Sequence, residues 1–314
     1  MTKLKLFYLL PIFFAVSCTI DYNIGESSVY EQERIIVNSY LNPSNEIRIH
    51  IHKLHIINNN YTSTGLSEYH IVLKENETIL YDGIYPDSIF VIDYFPRVGC
   101  EYSIKVSYKG LTTVQAKTSI PEAIHSASSF STGMYFWETW EHVVKLESFT
   151  VPNNEMVCLW ITAYQMDEKA KKVQYNELYT KNVFVDKVNS VAGMDVKNET
   201  VGSIYHEGFL RIKNNNIPNL EELLFTPEYP PPIEDDEEGY STATKIQIKL
   251  ITASPEYDRY NKSNYEQKKM IIYDDFAALL YKPLSVYSNI ENGLGIFAGF
   301  NEVDYMFDLP EKNF

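Results

Sequence analysis

From Arg34 to Ile120 apolar and polar residues alternate with a period of two, the spacing of half-buried β-strands. Ile35, Val37 and Tyr40-Leu41 open the pattern, and Asn42-Pro43-Ser44-Asn45 reads as a turn. Ile47, Ile49 and Ile51 then alternate with Arg48, His50 and His52. His70 to Leu73 precedes a turn around Asn76, and Thr78 to Tyr81 ends at Asp82-Gly83. Ser88 to Ile92 and Tyr102 to Tyr108 follow, and Lys109-Gly110 turns into Leu111 to Ile120. About seven short strands at such spacing predict an antiparallel, immunoglobulin-like sandwich over residues 34–121, closed by Pro121. Ser126 to Thr132 is small and polar and reads as a linker.

Residues 134–314 read as a second, larger β-rich unit. Its strands are expected at Glu141 to Thr150, Met156 to Tyr164, Val183 to Val188, Lys245 to Thr252 and Gly295 to Phe300. One or two helices interrupt them. Pro218 to Leu224 is the shorter. The longer begins at Ser254-Pro255-Glu256, a cap, a first-turn proline and an acid at the positive dipole end, and runs to about Lys269. Asp258 and Lys262 stand four apart, acid first, and are expected to pair on that helix. Asn292-Gly293 marks a tight turn. The expected class is all-β, mainly antiparallel.

The first eighteen residues have a different pattern. Lys3 and Lys5 precede the apolar run Leu6 to Phe14, which is too short to span a bilayer. Ala15-Val16-Ser17-Cys18 follows and looks like the bacterial lipobox, whose cysteine is diacylated and becomes the new N-terminus. Residues 1–17 are thus expected to be a lipoprotein signal peptide and Cys18 the lipid attachment site. Residues 18–33, kept hydrated by Glu26, Glu31 and Glu33, would be a tether.

Charge narrows the partners. The chain carries a formal net charge of −15, and losing Lys3 and Lys5 makes it more negative still. Nucleic acid and anionic head groups repel such a surface, so membrane attachment must come from acyl chains and nucleic-acid binding is rejected. Cys100 and Cys158 remain in strand-like runs; an oxidising compartment permits a disulfide, and two separate buried thiols are the alternative. Tyrosine is frequent, 25 of 314 residues, which fits a β-rich fold and also the rings that hold sugars and peptides.

The last sixty residues carry a resemblance. Pro255-Glu256-Tyr257-Asp258-Arg259-Tyr260 with Ser263, then Ser288-Asn289-Ile290-Glu291-Asn292-Gly293-Leu294-Gly295-Ile296-Phe297, resemble a family of Bacteroidota lipoproteins catalogued as domain of unknown function 4249. Val37 to Leu41, Tyr102 to Val106, Ala116 and Ile120-Pro121 are similar too. Asn292 stands where the family has a second glycine, and asparagine tolerates the positive φ that a turn needs there. The resemblance implies two β domains behind a lipid anchor and an accessory role beside TonB-dependent outer-membrane receptors. It transfers no catalytic residue.

Several clusters carry candidate chemistry. A β-bulge near Lys53 would bring His50, His52 and His55 onto one face, where three imidazoles can bind zinc or copper; otherwise they are polar residues facing solvent. Pro230-Pro231-Pro232 stiffens a stalk before Glu234, Asp235, Asp236, Glu237 and Glu238, a partner-contact loop or a solvated insertion without EF-hand spacing. Tyr135, Phe136, Trp137 and Trp140 can stack on a ligand or pack between the two units. Asp87-Ser88-Ile89 after Pro86 is similar to an O-glycosylation signal of Bacteroidota exported proteins, with Ser88 the acceptor, and three residues also match by chance. No G-x-S-x-G elbow, H-E-x-x-H, phosphate loop or dinucleotide fingerprint is present, and His206-Glu207 lacks its second histidine. The expectation is a non-enzymatic lipoprotein of the outer membrane, leaflet open, without a cofactor, serving a TonB-dependent transporter. A structural or adhesive surface lipoprotein and an envelope hydrolase are the alternatives.

Overall fold

Alternation decides where the first core lies. The computed structural model describes residues 33–57, 60–135, 139–151, 157–169, 171–192, 204–228, 233–235, 239–241, 243–273 and 285–309; the expected signal peptide, Cys18 and the tether up to residue 32 lie outside them. The first eight strands are β1 (Arg34–Leu41), β2 (Ile47–Ile57), β3 (Asn60–Gly65), β4 (Tyr69–Glu75), β5 (Thr78–Tyr85), β6 (Ile89–Ile92), β7 (Glu101–Ser107) and β8 (Val114–Ser119). Ile35, Val37, Ile47, Ile49 and Ile51 point inward from β1 and β2, and Tyr69, Ile71, Leu73, Tyr102, Ile104 and Val106 point back from β4 and β7. Period-two burial on both layers makes the expected sandwich. One layer runs β5-β4-β7-β8; in the other, β1 pairs with β2, whose far edge takes β6 and then β3.

The second core forms in the same way between two larger sheets. Its strands are β9 (His125–Tyr135), β10 (Thr139–Thr150), β11 (Cys158–Met166), β12 (Lys172–Gln174), β13 (Glu177–Tyr179), β14 (Ser190–Ala192), β15 (Ile204–Glu207), β16 (Leu210–Ile212), β17 (Glu222–Glu228), β18 (Ile233–Asp235), β19 (Gly239–Ser241), β20 (Lys245–Ala253) and β21 (Leu294–Asp308). Among the described residues a single α-helix, α1 (Pro255–Tyr273), lies between β20 and β21 in sequence. The sheet β14-β15-β13-β17-β10-β9 packs Val144, Leu146, Leu178, Leu223 and Phe225 against Leu159, Ile161, Ile246, Ile248 and Leu250 of β11 and β20. The chain is therefore all-β, and mainly antiparallel, as its pattern predicts.

β21 ties the two sandwiches together. Its first part, Leu294 to Gly299, pairs in parallel with Ile36 to Leu41 of β1. Its remainder, Phe300 to Asp308, pairs antiparallel with Ala253 to Lys245 of β20. Fifteen residues of continuous strand reach about 50 Å, enough to run through both bodies. Ile290 and Phe297 complete the first core, whereas Val303, Tyr305 and Phe307 pack on the second. The unit read as residues 34–121 thus takes its closing strand from the end of the chain.

Close backbone approach at this junction dictates residue types. Gly295 has φ of 102°, and a Cβ there would overlap the Val37 carbonyl; one at Gly299 would overlap the Ser119 carbonyl. Asn289 clamps the approach loop: its Nδ2 donates to Phe297 O (2.7 Å) and Lys117 O (3.1 Å), and its Oδ1 accepts from Phe297 N (3.0 Å). Asn292 has φ of 60°, the conformation expected of it. The Ser288 to Phe297 stretch of the resemblance therefore lies at the joint between the two bodies.

Four local expectations are corrected. Residues 126–132, read as a linker, are the middle of β9, because serines and threonines tolerate an edge strand as well as a loop. Val183 to Val188 is mostly turn, with one bridge from Val185 to Ile212. Pro218 to Leu224 is not a helix: a 3-10 turn spans Ile217–Asn219, then Leu223 and Phe225 alternate inward on β17. No bulge breaks β2, whose register against both β1 and β3 advances residue by residue through Lys53.

Replacing Gly295 by alanine is expected to lower stability by about 2 kcal/mol or more, since a strained φ and a clash with a carbonyl combine. Gly83, with only the Tyr81 ring tip near its Cβ position, is the control, and its alanine variant should unfold close to wild type in urea. Equal midpoints for the two would refute the account of the junction.

Candidate functional site

The helix is placed by its first turn. Ser254 caps it: its Oγ accepts from Tyr257 N at 3.3 Å, and its carbonyl accepts from Asp258 N at 3.0 Å. This sets Asp258 against the outer face of β11 and β16, where it is buried. Arg211 of β16 donates from Nε to Oδ1 and from Nη2 to Oδ2, both at 2.7 Å, a bidentate pair. Trp160 Nε1 donates to the same Oδ1 at 2.8 Å. The third arm of Arg211, Nη1, donates to Asp186, which lies 3.6 Å from Lys213 Nζ. Trp160, Phe209, Tyr257, Tyr265, Ile251 and Phe300 wrap this network in apolar surface.

Sequence reading missed this cluster. It paired Asp258 with Lys262 on the helix surface, but Lys262 meets Glu266 at 3.5 Å instead. The signal was an arginine between Leu210 and Ile212 in a strand-like run, where a lone charge demands a buried partner. Burial pushes the Asp258 carboxyl up, but the hydrogen bonds and charge of Arg211 outweigh it and hold the group below its ordinary 3.8. Burial opposes the charge of Arg211, and Asp258 raises its pKa beyond any accessible pH. Cys158 lies 3.8 Å from Arg211 Nη2; burial first, then the Asp258 charge, push its thiol up to about 11. That thiol keeps its proton at neutral pH and is no nucleophile. Nearby His206, buried on β15, is pushed down to about 4 by desolvation and shares a 3.3 Å contact between Nδ1 and Asn189 Oδ1. The cluster holds charges in mutual satisfaction, which suits a clamp fixing α1 to the sheet better than a reacting centre.

A second buried carboxylate serves the first sandwich. Glu75, 1% exposed, accepts from Tyr94 Oη (2.8 Å), Arg97 Nε (3.0 Å) and Tyr102 Oη. It ties the loop before β7 to the end of β4.

The sequence-predicted candidates occupy separate places. His50 and His52 share one face of β2, and regular register puts His55 on the other. There its Nδ1 meets Glu33 Oε1 at 3.1 Å and its Nε2 meets Thr64 Oγ1 at 2.7 Å, while Lys53 reaches Glu33 at 2.7 Å. Among the described residues no group of three His, Cys, Asp or Glu is arranged to hold a metal. Cys100 and Cys158 are both unpaired, each half-buried in a different sandwich. Ser88 sits in the bend between β5 and β6, half-buried, with its Oγ 3.3 Å from Asp87 Oδ1 and its Cβ against Gly65. Glu234 and Asp235 lie on β18, paired with β19 in a two-stranded ribbon, and Asp236, Glu237 and Glu238 fall outside the described residues. Tyr135 and Trp140 flank the end of the β9–β10 hairpin, where Tyr135 pairs with Thr139; Phe136 and Trp137 are outside the described residues.

A family described as Domain of unknown function (DUF4249) matches residues 18–305. No curated protein matches the chain.

Acid titration should resolve the two buried groups. Neutral His206 has a folded pKa below its ordinary 6.5, so the unfolded state takes up its proton first and stability falls as pH drops from about 6.5 towards 4. Asp258, depressed below 3.8, contributes stability that is present above that value and is lost as pH falls through its folded pKa. His206→Gln is expected to flatten the upper window and Asp258→Asn the lower one, in urea midpoints taken from pH 7 to 3. Arg211→Met, which strands a buried carboxylate, should cost about 3–5 kcal/mol at pH 7.

Proposed function

The chain belongs to the DUF4249 family, and from that premise we propose that it is a lipid-anchored lipoprotein of the outer membrane, an accessory or binding subunit of a TonB-dependent transporter that catalyses nothing itself. The Ala15-Val16-Ser17-Cys18 site carries the anchoring part of this reading. Stable anchoring needs more than one acyl chain, and the acidic body adds no attraction of its own to anionic lipid. Among the described residues no helix is long and apolar enough to cross a membrane.

The layout of the body supports the binding part. β1 leaves the tether at Arg34, and β21 runs parallel to it and onward past Leu41. With an anchor before Arg34, the first sandwich would stand nearest it and the second beyond. A preformed β surface held this way over a pore raises the local concentration of what it binds. The clamp residues at α1 are fully paired, and the Cys158 thiol is protonated, which favours holding over turnover.

Cys18→Ser is expected to abolish palmitate incorporation and shift the protein from the envelope to the soluble fraction. Detergent-solubilised wild type should co-purify with a TonB-dependent transporter. A serine variant that stays labelled and membrane-bound would sink the anchor, and a native protein recovered without any transporter would sink the accessory role.

A further inference from the structure

A strand at the rim of a sheet leaves a row of N–H and C=O groups without ladder partners, and proteins shorten, charge or distort such rims. Most rims here are treated so. β12 and β14 are three residues each. β5 carries Asp82, 3.1 Å from His70, and faces a register irregularity at Leu73/Lys74. β8 is bridged to Glu291 through Gln115.

β9 is not. It is eleven residues long, His-Ser-Ala-Ser-Ser-Phe-Ser-Thr-Gly-Met-Tyr, with no lysine, arginine, acid or proline. Against β10 its register runs unbroken from Ala127 to Tyr135. Only its irregular start is sealed: Ser126 N donates to Tyr305 Oη (2.9 Å), which donates to Ser126 O (2.8 Å). Among the described residues no strand lies on its outer side.

We propose that Ala127 to Tyr135 is a docking edge that takes an extended, acid-free segment of a partner polypeptide as a seventh strand. Only another extended backbone matches the alternating donors and acceptors of a strand. Charge selects among such segments: a second copy brings the same −15, while a neutral or basic segment meets no repulsion. Side chains set its pattern. On one face Phe130 stacks on Phe307 (5.3 Å) and His142 (5.6 Å) between the small Ser128 and Thr132, so an incoming strand places apolar residues there. On the other face exposed Ser129 and Ser131 suit polar ones. The proposal deepens the binding-subunit reading by naming where and how its partner docks.

The probe is a ten-residue peptide alternating valine and threonine with lysine at each end; its counterpart with every backbone amide N-methylated has no donor to offer a ladder. With purified protein, the first peptide should slow amide exchange in residues 127–135 at least tenfold, and the second should not. Successive N–H groups point to opposite sides, so of Ser128→Pro and Ser129→Pro one breaks the bond to β10 and the other only blanks the rim. The variant that keeps the wild-type melting temperature must bind at least tenfold more weakly. Unchanged β9 exchange with both peptides, or undiminished binding by that variant, overturns the proposal. A protein that sediments as a dimer with β9 already protected overturns it in favour of self-pairing. Protection by the peptide without a co-purifying transporter would leave this edge standing and remove only the transporter.

Discussion

The parallel pairing of β1 with β21 is the contact on which the architecture depends. It joins the first and last parts of the described chain, so one body cannot close until nearly the whole sequence exists. Contacts of such separation are entropically costly and slow to form, and their reward must be large. Here the reward is a shared element: one strand finishes the sheet of the first sandwich and then pairs with β20 at the rim of a sheet of the second. Gly295 and Gly299 are there because carbonyls of the first sandwich occupy the space a side chain would need.

The helix follows from the same junction. α1 and β21 are consecutive elements, and the helix must return over the outer face of β20 and β11 before the chain re-enters at Asn289. Aromatic packing covers that face, and the Arg211–Asp258 pair fixes the register of helix on sheet. A buried ion pair adds little net stability over apolar packing, but it penalises any docking that leaves either charge alone. Glu75 plays the corresponding part in the first sandwich, at the strand ends level with Thr118 and the junction.

Much of this was legible. Alternation found the strands of the first sandwich other than β3, though it ended β5 four residues early at Tyr81 and began β8 three residues early at Leu111, and Ser254-Pro255-Glu256 marked the helix start because capping is local chemistry. What failed was whatever depended on distant residues. Asp258 looked like half of a surface pair, since nothing nearby announces a partner 47 positions upstream. Ser126 to Thr132 has a linker's composition, and only Val144 and its neighbours on β10 make it a strand. The shift of burial from Ile51 to Leu54 suggested an inserted residue, whereas the strand stays regular and buries Leu54 on its other face. The family block from Ser288 to Phe297 was visible as a motif, but its place at the joint of β1 with β21 needed the fold.

The shared strand also fixes how the molecule would carry a load. A pull applied before β1 draws Arg34 one way, and a pull applied after β21 draws Asp308 the other. Because β1 and β21 run in the same direction, the force lies along the strands, and the six rungs between Ile36–Leu294 and Leu41–Gly299 resist in shear together rather than parting one at a time. The protein is built like a tie-rod, able to take tension between Arg34 and Asp308.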